Sequence, residues 1–260
     1  MTQPMLAVEV DNISKSYGAR GGSEEILRNI SLKVAQGELV SLLGPSGCGK
    51  STLLSVIGGF VSPDRGQVRL NGRAKTSPDR ECVMLFQHYG LLPWRSVKKN
   101  VELGLERLPA KEREETAMAY IRLVGLEERA GHFPHQLSGG MQQRAALARA
   151  LAIRPKVILM DEPFAALDTF TRYYLQNELL RIHAQEKPTI LFVTHDIDEA
   201  VYLSDRVLIM NASPGQIRRE IAIQTSRPRD RGSADFQHYR KLILEQFELT
   251  GTQPSEEFSI

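Results

Sequence analysis

The sequence predicts an α/β fold: a mostly parallel sheet, with an antiparallel β subdomain at the N-terminus and an inserted α-helical subdomain. Strand-sized apolar runs alternate with helical segments in the second half of the chain, the pattern of parallel strands joined by crossover helices. A glycine-rich stretch, Gly44-Pro45-Ser46-Gly47-Cys48-Gly49-Lys50-Ser51, stands between an apolar run and a helical one, the context a phosphate loop requires. From about residue 96 to 153 the periodicity is helical, so this part forms a lobe set into the core.

In order, residues 6–10 and 30–34 read as short alternating strands separated by a glycine-rich loop, Gly18 to Gly22. Residues 38–43 form an apolar strand feeding the phosphate loop, and 51–57 the helix behind it. Residues 67–70 followed by Asn71-Gly72 read as a strand entering a tight hairpin turn. Residues 82–86 form another buried strand. Helices are expected over 112–124, with Ala117, Tyr120, Ile121 and Val124 on one face, and over 140–152. Strand character returns at 157–160, 189–193, 206–210 and 216–221, and helices at 170–183 and 196–204 lie among them. An Arg-Pro-rich linker, Arg227-Pro228-Arg229-Asp230-Arg231, leads to an amphipathic helix over about 236–247. The expected division is one domain over 1–224, its helical lobe over about 88–154, and a C-terminal linker and helix over 225–260.

The 260 residues can bury a sizeable core within one elaborated domain or two lobes. Lys and Arg total 33 against 31 Asp and Glu, and the net charge of +2 makes no general case for nucleic acid or anionic lipid. Cys48 lies inside the phosphate loop and Cys82 opens an apolar run, so a reducing compartment is expected rather than a disulfide framework. The first seven residues lack the basic flank and apolar core of a secretion signal. The longest apolar runs are strand-sized, so work at a membrane would need spanning helices from another subunit.

The phosphate loop matches G-x-x-x-x-G-K-[ST] at every position, a pattern expected by chance in roughly one chain in a hundred of this length. With the flanking strand and helix, a merely glycine-rich turn is a poor reading. Glycines let successive backbone N–H groups converge on phosphates, and the helix N-terminus adds partial positive charge. Lys50 is placed to reach the β- and γ-phosphates and the Ser51 hydroxyl to ligate Mg²⁺. Candidate nucleotide contacts are therefore Gly44, Pro45, Ser46, Gly47, Cys48, Gly49, Lys50, Ser51 and Thr52.

Asp161 and Glu162 follow four apolar residues, which puts them at the C-terminal end of a buried strand, where open parallel sheets bind ligands. Asp161 is placed to hold Mg²⁺ through its water shell, and Glu162 to orient and deprotonate an attacking water. A solvated acidic turn is the plain alternative, weakened by Pro163 and by Ala166-Leu167-Asp168 downstream. In Leu137-Ser138-Gly139-Gly140-Met141-Gln142 a hydroxyl and two glycine N–H groups precede a helix, again suited to phosphate. Ser138 would equally serve as an ordinary N-cap, and the two roles are compatible because capping leaves N–H groups free.

In this order, phosphate loop, Gln87, Leu137 to Gln142, Asp161-Glu162, Ala166-Leu167-Asp168 and His195, the chain resembles the ATP-binding-cassette (ABC) ATPases over roughly residues 8–221. The resemblance implies a P-loop NTPase (RecA-like) core that hydrolyses ATP with Mg²⁺. Two copies would close head to tail, with Ser138, Gly139, Gly140, Gln142 and Asp168 among the nucleotide contacts and Ser138 working on the other copy's ATP. Tyr17 is similar to the aromatic residue that stacks on adenine. Gln87 corresponds to the glutamine that touches Mg²⁺ and links core to helical lobe, and His195 to the histidine on the γ-phosphate. Catalytic roles thus fall on Lys50, Gln87, Glu162 and His195, and metal contacts on Ser51, Gln87 and Asp161. Alone, a Gln is usually surface and a His after a strand usually structural. Order and spacing lift them. His88, His132, His135, His183 and His238 read as structural or exposed, and His132 and His135 lack the company a zinc site needs.

After Gln87, the run His88-Tyr89-Gly90-Leu91-Leu92-Pro93-Trp94 holds the only tryptophan, which by default would be core. In this family that segment lines the groove receiving a helix of the transmembrane subunit, and its Leu-Leu-Pro-Trp form resembles the importer branch for nitrate, aliphatic sulfonates and taurine. The implied partners are a second copy, two transmembrane permease subunits and, indirectly, a periplasmic or extracellular solute-binding protein, with no nucleic acid. The implied location is the cytoplasmic face of the cell membrane. Met141 departs from the polar residue common at its position. The stretch after the linker is short for the C-terminal regulatory domain some importers carry. The alternatives are the cassette of an exporter or a soluble non-transport ABC ATPase.

Overall fold

The structure, a computed structural model, describes residues 5–19, 22–212 and 214–248. Its elements begin with β1 (Leu6–Ala19), β2 (Gly22–Ala35), β3 (Leu39–Leu43), α1 (Lys50–Ile57), β4 (Arg65–Leu70) and β5 (Arg73–Ala74). Next come β6 (Cys82–Leu85), α2 (Val97–Val101), α3 (Ala110–Leu123), α4 (Gly139–Ala152), β7 (Val157–Asp161) and α5 (Thr169–Glu186). Then follow β8 (Thr189–Thr194), α6 (Ile197–Leu203), β9 (Arg206–Asn211), β10 (Gln216–Ala222) and α7 (Ala234–Glu248). They form two compact units, one drawn from Met1–Ser77 and Thr189–Ile260, the other from Pro78–Pro188.

The first unit holds an antiparallel sheet in the order β2-β1-β4-β5 and a run of strands in the order β10-β9-β3-β8. β3 pairs in parallel with both β8 and β9, and β10 returns antiparallel on β9. Every residue of β3 and β8 is buried, which is why both read as unbroken apolar runs rather than alternating ones. α6 packs on β3 and β8, and α7 packs on α6.

β1 and β2 are longer than the expected strands at 6–10 and 30–34. Their pairing continues through register shifts between Val10 and Ile13 and between Ile13 and Lys15. Each shift moves the inward face by a residue, so the alternation that marks a strand is lost although the ladder persists. Gly18 and Gly22, expected in a loop, belong to these strands, while Arg20 and Gly21 lie outside the described residues. The Asn71-Gly72 turn joins β4 to β5, with φ of 48° and 76°.

The Arg-Pro linker is not a loose tether. Arg229 is buried, and its guanidinium donates to the carbonyls of Val201 at 2.7 Å, Tyr202 at 3.2 Å and Ser204 at 2.7 Å, closing the C-terminal end of α6. Burial pushes its pKa down to about 10, which leaves it charged at neutral pH. Arg231 stacks over the Tyr202 ring at 3.5 Å.

In the second unit β6 and β7 form a parallel pair, and α2 and α3 pack on α4. Ala117, Tyr120 and Ile121 are the buried residues of α3, with Val124 buried just beyond, as its periodicity predicts. α4 buries a run of alanines that lets its neighbours approach closely. No helix among the described residues is long and apolar enough to cross a membrane.

Candidate functional site

In the first unit the phosphate loop leaves β3 and enters α1. Leu43 pairs with Thr194, so the chain after β3 and the chain after β8 leave from adjacent strand ends and bring Gly44 and His195 out at the same edge. Gly47 and Gly49 both have positive φ, 78° and 93°, a conformation that glycine adopts without steric cost. A Cβ on Gly47 would meet nothing within 4 Å, so this side of the loop is open; one on Gly49 would lie 2.7 Å from Leu27. Lys50 is buried, and its Nζ donates to the carbonyls of Gly44 at 2.7 Å and Pro45 at 2.8 Å. The ammonium therefore lies inside the curve of the loop, where a phosphate oxygen would meet it. Ser46 and Ser51 are exposed and Thr52 half-buried. Cys48 faces inward, and burial pushes its thiol pKa up, which leaves it a poor nucleophile. Neither Cys48 nor Cys82 forms a disulfide.

Tyr17 is exposed on β1, with the Lys15 ammonium 5.4 Å from its ring centre. Its open face suits stacking on a flat heterocycle. His195 is half-buried at the β8–α6 junction.

The second unit carries the other group of expected residues. Leu85 pairs with Met160, and Gln87 and Glu162 each follow two residues after that pair; the Gln87 amide nitrogen lies 3.5 Å from the Glu162 carboxylate. Asp161 closes β7 and is buried; Glu162 is half-buried with a φ of 50°. That positive φ makes a tight turn of the chain directly after β7. Gln143 was not expected here. Its amide nitrogen donates to the Glu162 carbonyl at 2.9 Å and its oxygen accepts from the Ala166 N–H at 3.2 Å, so one buried side chain fixes both ends of the turn.

Ser138 is the N-cap of α4, its Oγ accepting from the Met141 N–H at 3.3 Å. Ser138 and Gly139 are exposed, which leaves the first turn of the helix open to a ligand. Gln142 turns its amide inward to the carbonyls of Pro134 at 3.1 Å and Leu137 at 3.2 Å, so its nitrogen shapes the approach to that turn. Asp168 caps α5 through the Thr171 N–H at 3.0 Å, and this hydrogen bonding holds its carboxyl below the usual range.

A further residue outside every motif shapes the phosphate loop. Gly215 lies against the Cys48 carbonyl, accepts from the Arg28 N–H at 3.1 Å and donates to the Ile26 carbonyl at 2.8 Å. Its glycine identity is a weak signal in the sequence, because Pro214-Gly215 reads as any turn would.

The fitness of these residues for Mg²⁺ follows from their chemistry. Ser51 hydroxyl, Gln87 carbonyl and Asp161 carboxylate are all hard oxygen donors. Among the described residues no group of three or more His, Cys, Asp or Glu could hold a metal by itself.

Comparison with known proteins bears on the family and the fold. A family profile described as ABC transporter matches residues 27–165. An uncharacterized ABC transporter ATP-binding protein of Methanocaldococcus jannaschii is 51% identical over 241 residues, covering 92% of this chain and 90% of that protein. An aliphatic sulfonates import ATP-binding protein of Bacillus cereus is 42% identical over 248 residues, covering 95% of this chain and 98% of that one. Among solved structures, a dimeric ATP-binding cassette in a post-hydrolysis state with ADP and Pi superposes with a TM-score of 0.78 at 33% identity. The match covers 84% of this chain and all of that cassette, and carries the same P-loop NTPase fold.

Proposed function

The chain belongs to the ABC transporter family, and from that premise we propose that it is the ATP-hydrolysing subunit of an importer for a small anion or sulfonate of the taurine, alkanesulfonate or nitrate type. The observation that carries the enzymatic part is Lys50, whose ammonium bridges the Gly44 and Pro45 carbonyls inside the loop. When a triphosphate enters, its oxygens replace these carbonyls as partners of the ammonium, and the loop N–H groups take the remaining charge.

Tyr17 stacks on the adenine. Glu162 takes the proton of the attacking water, and Gln87 orients that water from the neighbouring strand end. His195 donates to the γ-phosphate. Ser51, Gln87 and Asp161 are the residues that would hold Mg²⁺, and the ion would supply neutralising charge to the triphosphate. Two copies associate head to tail, and the open first turn of α4 with Ser138 and Gly139 supports a role on the other copy's ATP. Asp168 acts at the same junction.

Trp94 is 70% exposed and borders a surface cleft of about 490 Å³ that includes Lys99, Glu102, Arg113 and Phe133. An exposed tryptophan beside a mixed-charge cleft supports its use as the permease contact. The membrane helices then belong to separate subunits, and this chain works against them as a peripheral subunit.

The test is Mg²⁺-dependent ATP hydrolysis by the purified chain and by Glu162→Gln. The variant should keep ATP binding while turnover falls by about 10²-fold or more. Near-normal turnover would remove Glu162 as the base. Uptake of taurine, an alkanesulfonate and nitrate, measured with this chain assembled with a permease, decides the solute.

A further inference from the structure

α6 begins two residues after His195, with Asp196 as its N-cap, and its first turn carries a buried carboxylate, Glu199, that none of the roles above uses. Thr194, the last residue of β8, is buried on the other side of His195. Its hydroxyl donates to the Glu199 carboxylate and accepts from the Asp196 N–H at 3.0 Å. Asp196 caps α6 by accepting from the Glu199 N–H at 3.0 Å. The three residues thus form a closed ring of hydrogen bonds around a single residue, His195. At the far end α6 is held by Arg229, and near its start Asp198 pairs with Arg240 of α7 at 2.8 Å.

A carboxylate is costly to bury unless its partners are fixed, and a ring of this kind has one geometry. The backbone on both sides of His195 is therefore tied to the same two side chains. We propose that Glu199 and Thr194 are positioning residues for His195: they set the backbone from which the imidazole reaches the nucleotide, and touch no substrate themselves. The proposal rests on the reading of His195 as a γ-phosphate contact.

The test is a set of steady-state ATPase measurements on the full chain, with nucleotide affinity and melting temperature in parallel. Thr194→Val removes the hydroxyl at nearly constant shape and should lower kcat by about tenfold or more, with KM nearly unchanged, because a small misplacement of a reacting group is expensive. Thr194→Ser should restore turnover. In the His195→Ala background Thr194→Val should cost nothing further, the sign of residues acting as one unit. If Thr194→Val does not fold, Glu199→Gln keeps an acceptor for the Thr194 hydroxyl and should turn over, whereas Glu199→Leu should not. Equal turnover of Glu199→Gln and Glu199→Leu, unchanged kcat in Thr194→Val, or a full additional loss on top of His195→Ala would each overturn the positioning role. Full turnover of His195→Ala would overturn the reading of His195 and this role with it; a loss confined to His195→Ala would overturn this role alone.

Discussion

Gly215 is pressed against the carbonyl of Cys48 so closely that a methyl group on its Cα would stand well inside contact distance of that oxygen. The atom it would strike is backbone in the phosphate loop, so nothing flexible can give way. Overpacking of this kind costs about 1–3 kcal/mol, so Gly215→Ala should lower ATP affinity by roughly tenfold through a displaced loop. Calorimetric titration with ATP, with far-ultraviolet circular dichroism to show the fold retained, checks it. Parental affinity would mean that the loop does not depend on this brace.

Lys50 does two jobs in the described geometry: it ties the loop through two carbonyls and presents a buried positive charge to phosphate. Charge-assisted hydrogen bonds contribute about 1.5–3 kcal/mol each, so loss of two in Lys50→Ala should weaken ATP binding by at least about 100-fold. Equilibrium binding of ATP measures this directly. Unchanged affinity would sink the phosphate-loop assignment.

Ser138 lies exposed at the open end of α4. Ser138→Arg places a long cation where another copy's phosphate is to be received, yet leaves Lys50 and its loop untouched. ATP-dependent dimerisation should be lost while the monomer binds ATP as before. Gel filtration of the Glu162→Gln protein with ATP, with and without Ser138→Arg, separates the two cases. An intact ATP dimer would count against a site shared between copies.

Asn100 is fully buried and holds the turn that presents Trp94. Its oxygen accepts from the Leu92 N–H at 2.8 Å, and its amide donates to the carbonyls of Leu92 at 3.1 Å, Arg95 at 2.9 Å and Ser96 at 3.1 Å. Asn100→Leu removes the partner of the Leu92 N–H and the Arg95 carbonyl, while the Leu92 and Ser96 carbonyls keep the Arg95 and Asn100 N–H groups; each group left without a partner costs about 1–3 kcal/mol when buried. Urea unfolding should show the loss of stability. Uptake in the assembled transporter should fall further than basal ATP hydrolysis of the purified chain, because in the proposed function this turn serves the permease contact rather than the nucleotide. Equal losses in the two assays would contradict that separation.

The phosphate loop, the acidic pair and the Ser138 turn were legible in the sequence because each works through backbone geometry set within a few residues. Gly47 and Gly49 bend the loop by their own φ, and Ser138 caps the helix three residues away. β1 and β2 were legible only in part, since the register shifts near Val10, Ile13 and Lys15 erase the alternation that marks a strand. The linker was read from its Arg and Pro content, but composition does not tell that Arg229 is buried on the α6 carbonyls.

By itself the sequence determined the family, the order of the strands and helices, and the short motifs whose chemistry is local. Tertiary structure alone decided which distant groups hold those motifs in place: Gly215 behind Cys48 and Gln143 across the Glu162 turn. The reason is physical. A motif states which atoms face a ligand, whereas a brace works by filling one space or satisfying one buried polar group. Which space and which group exist only once the chain has folded.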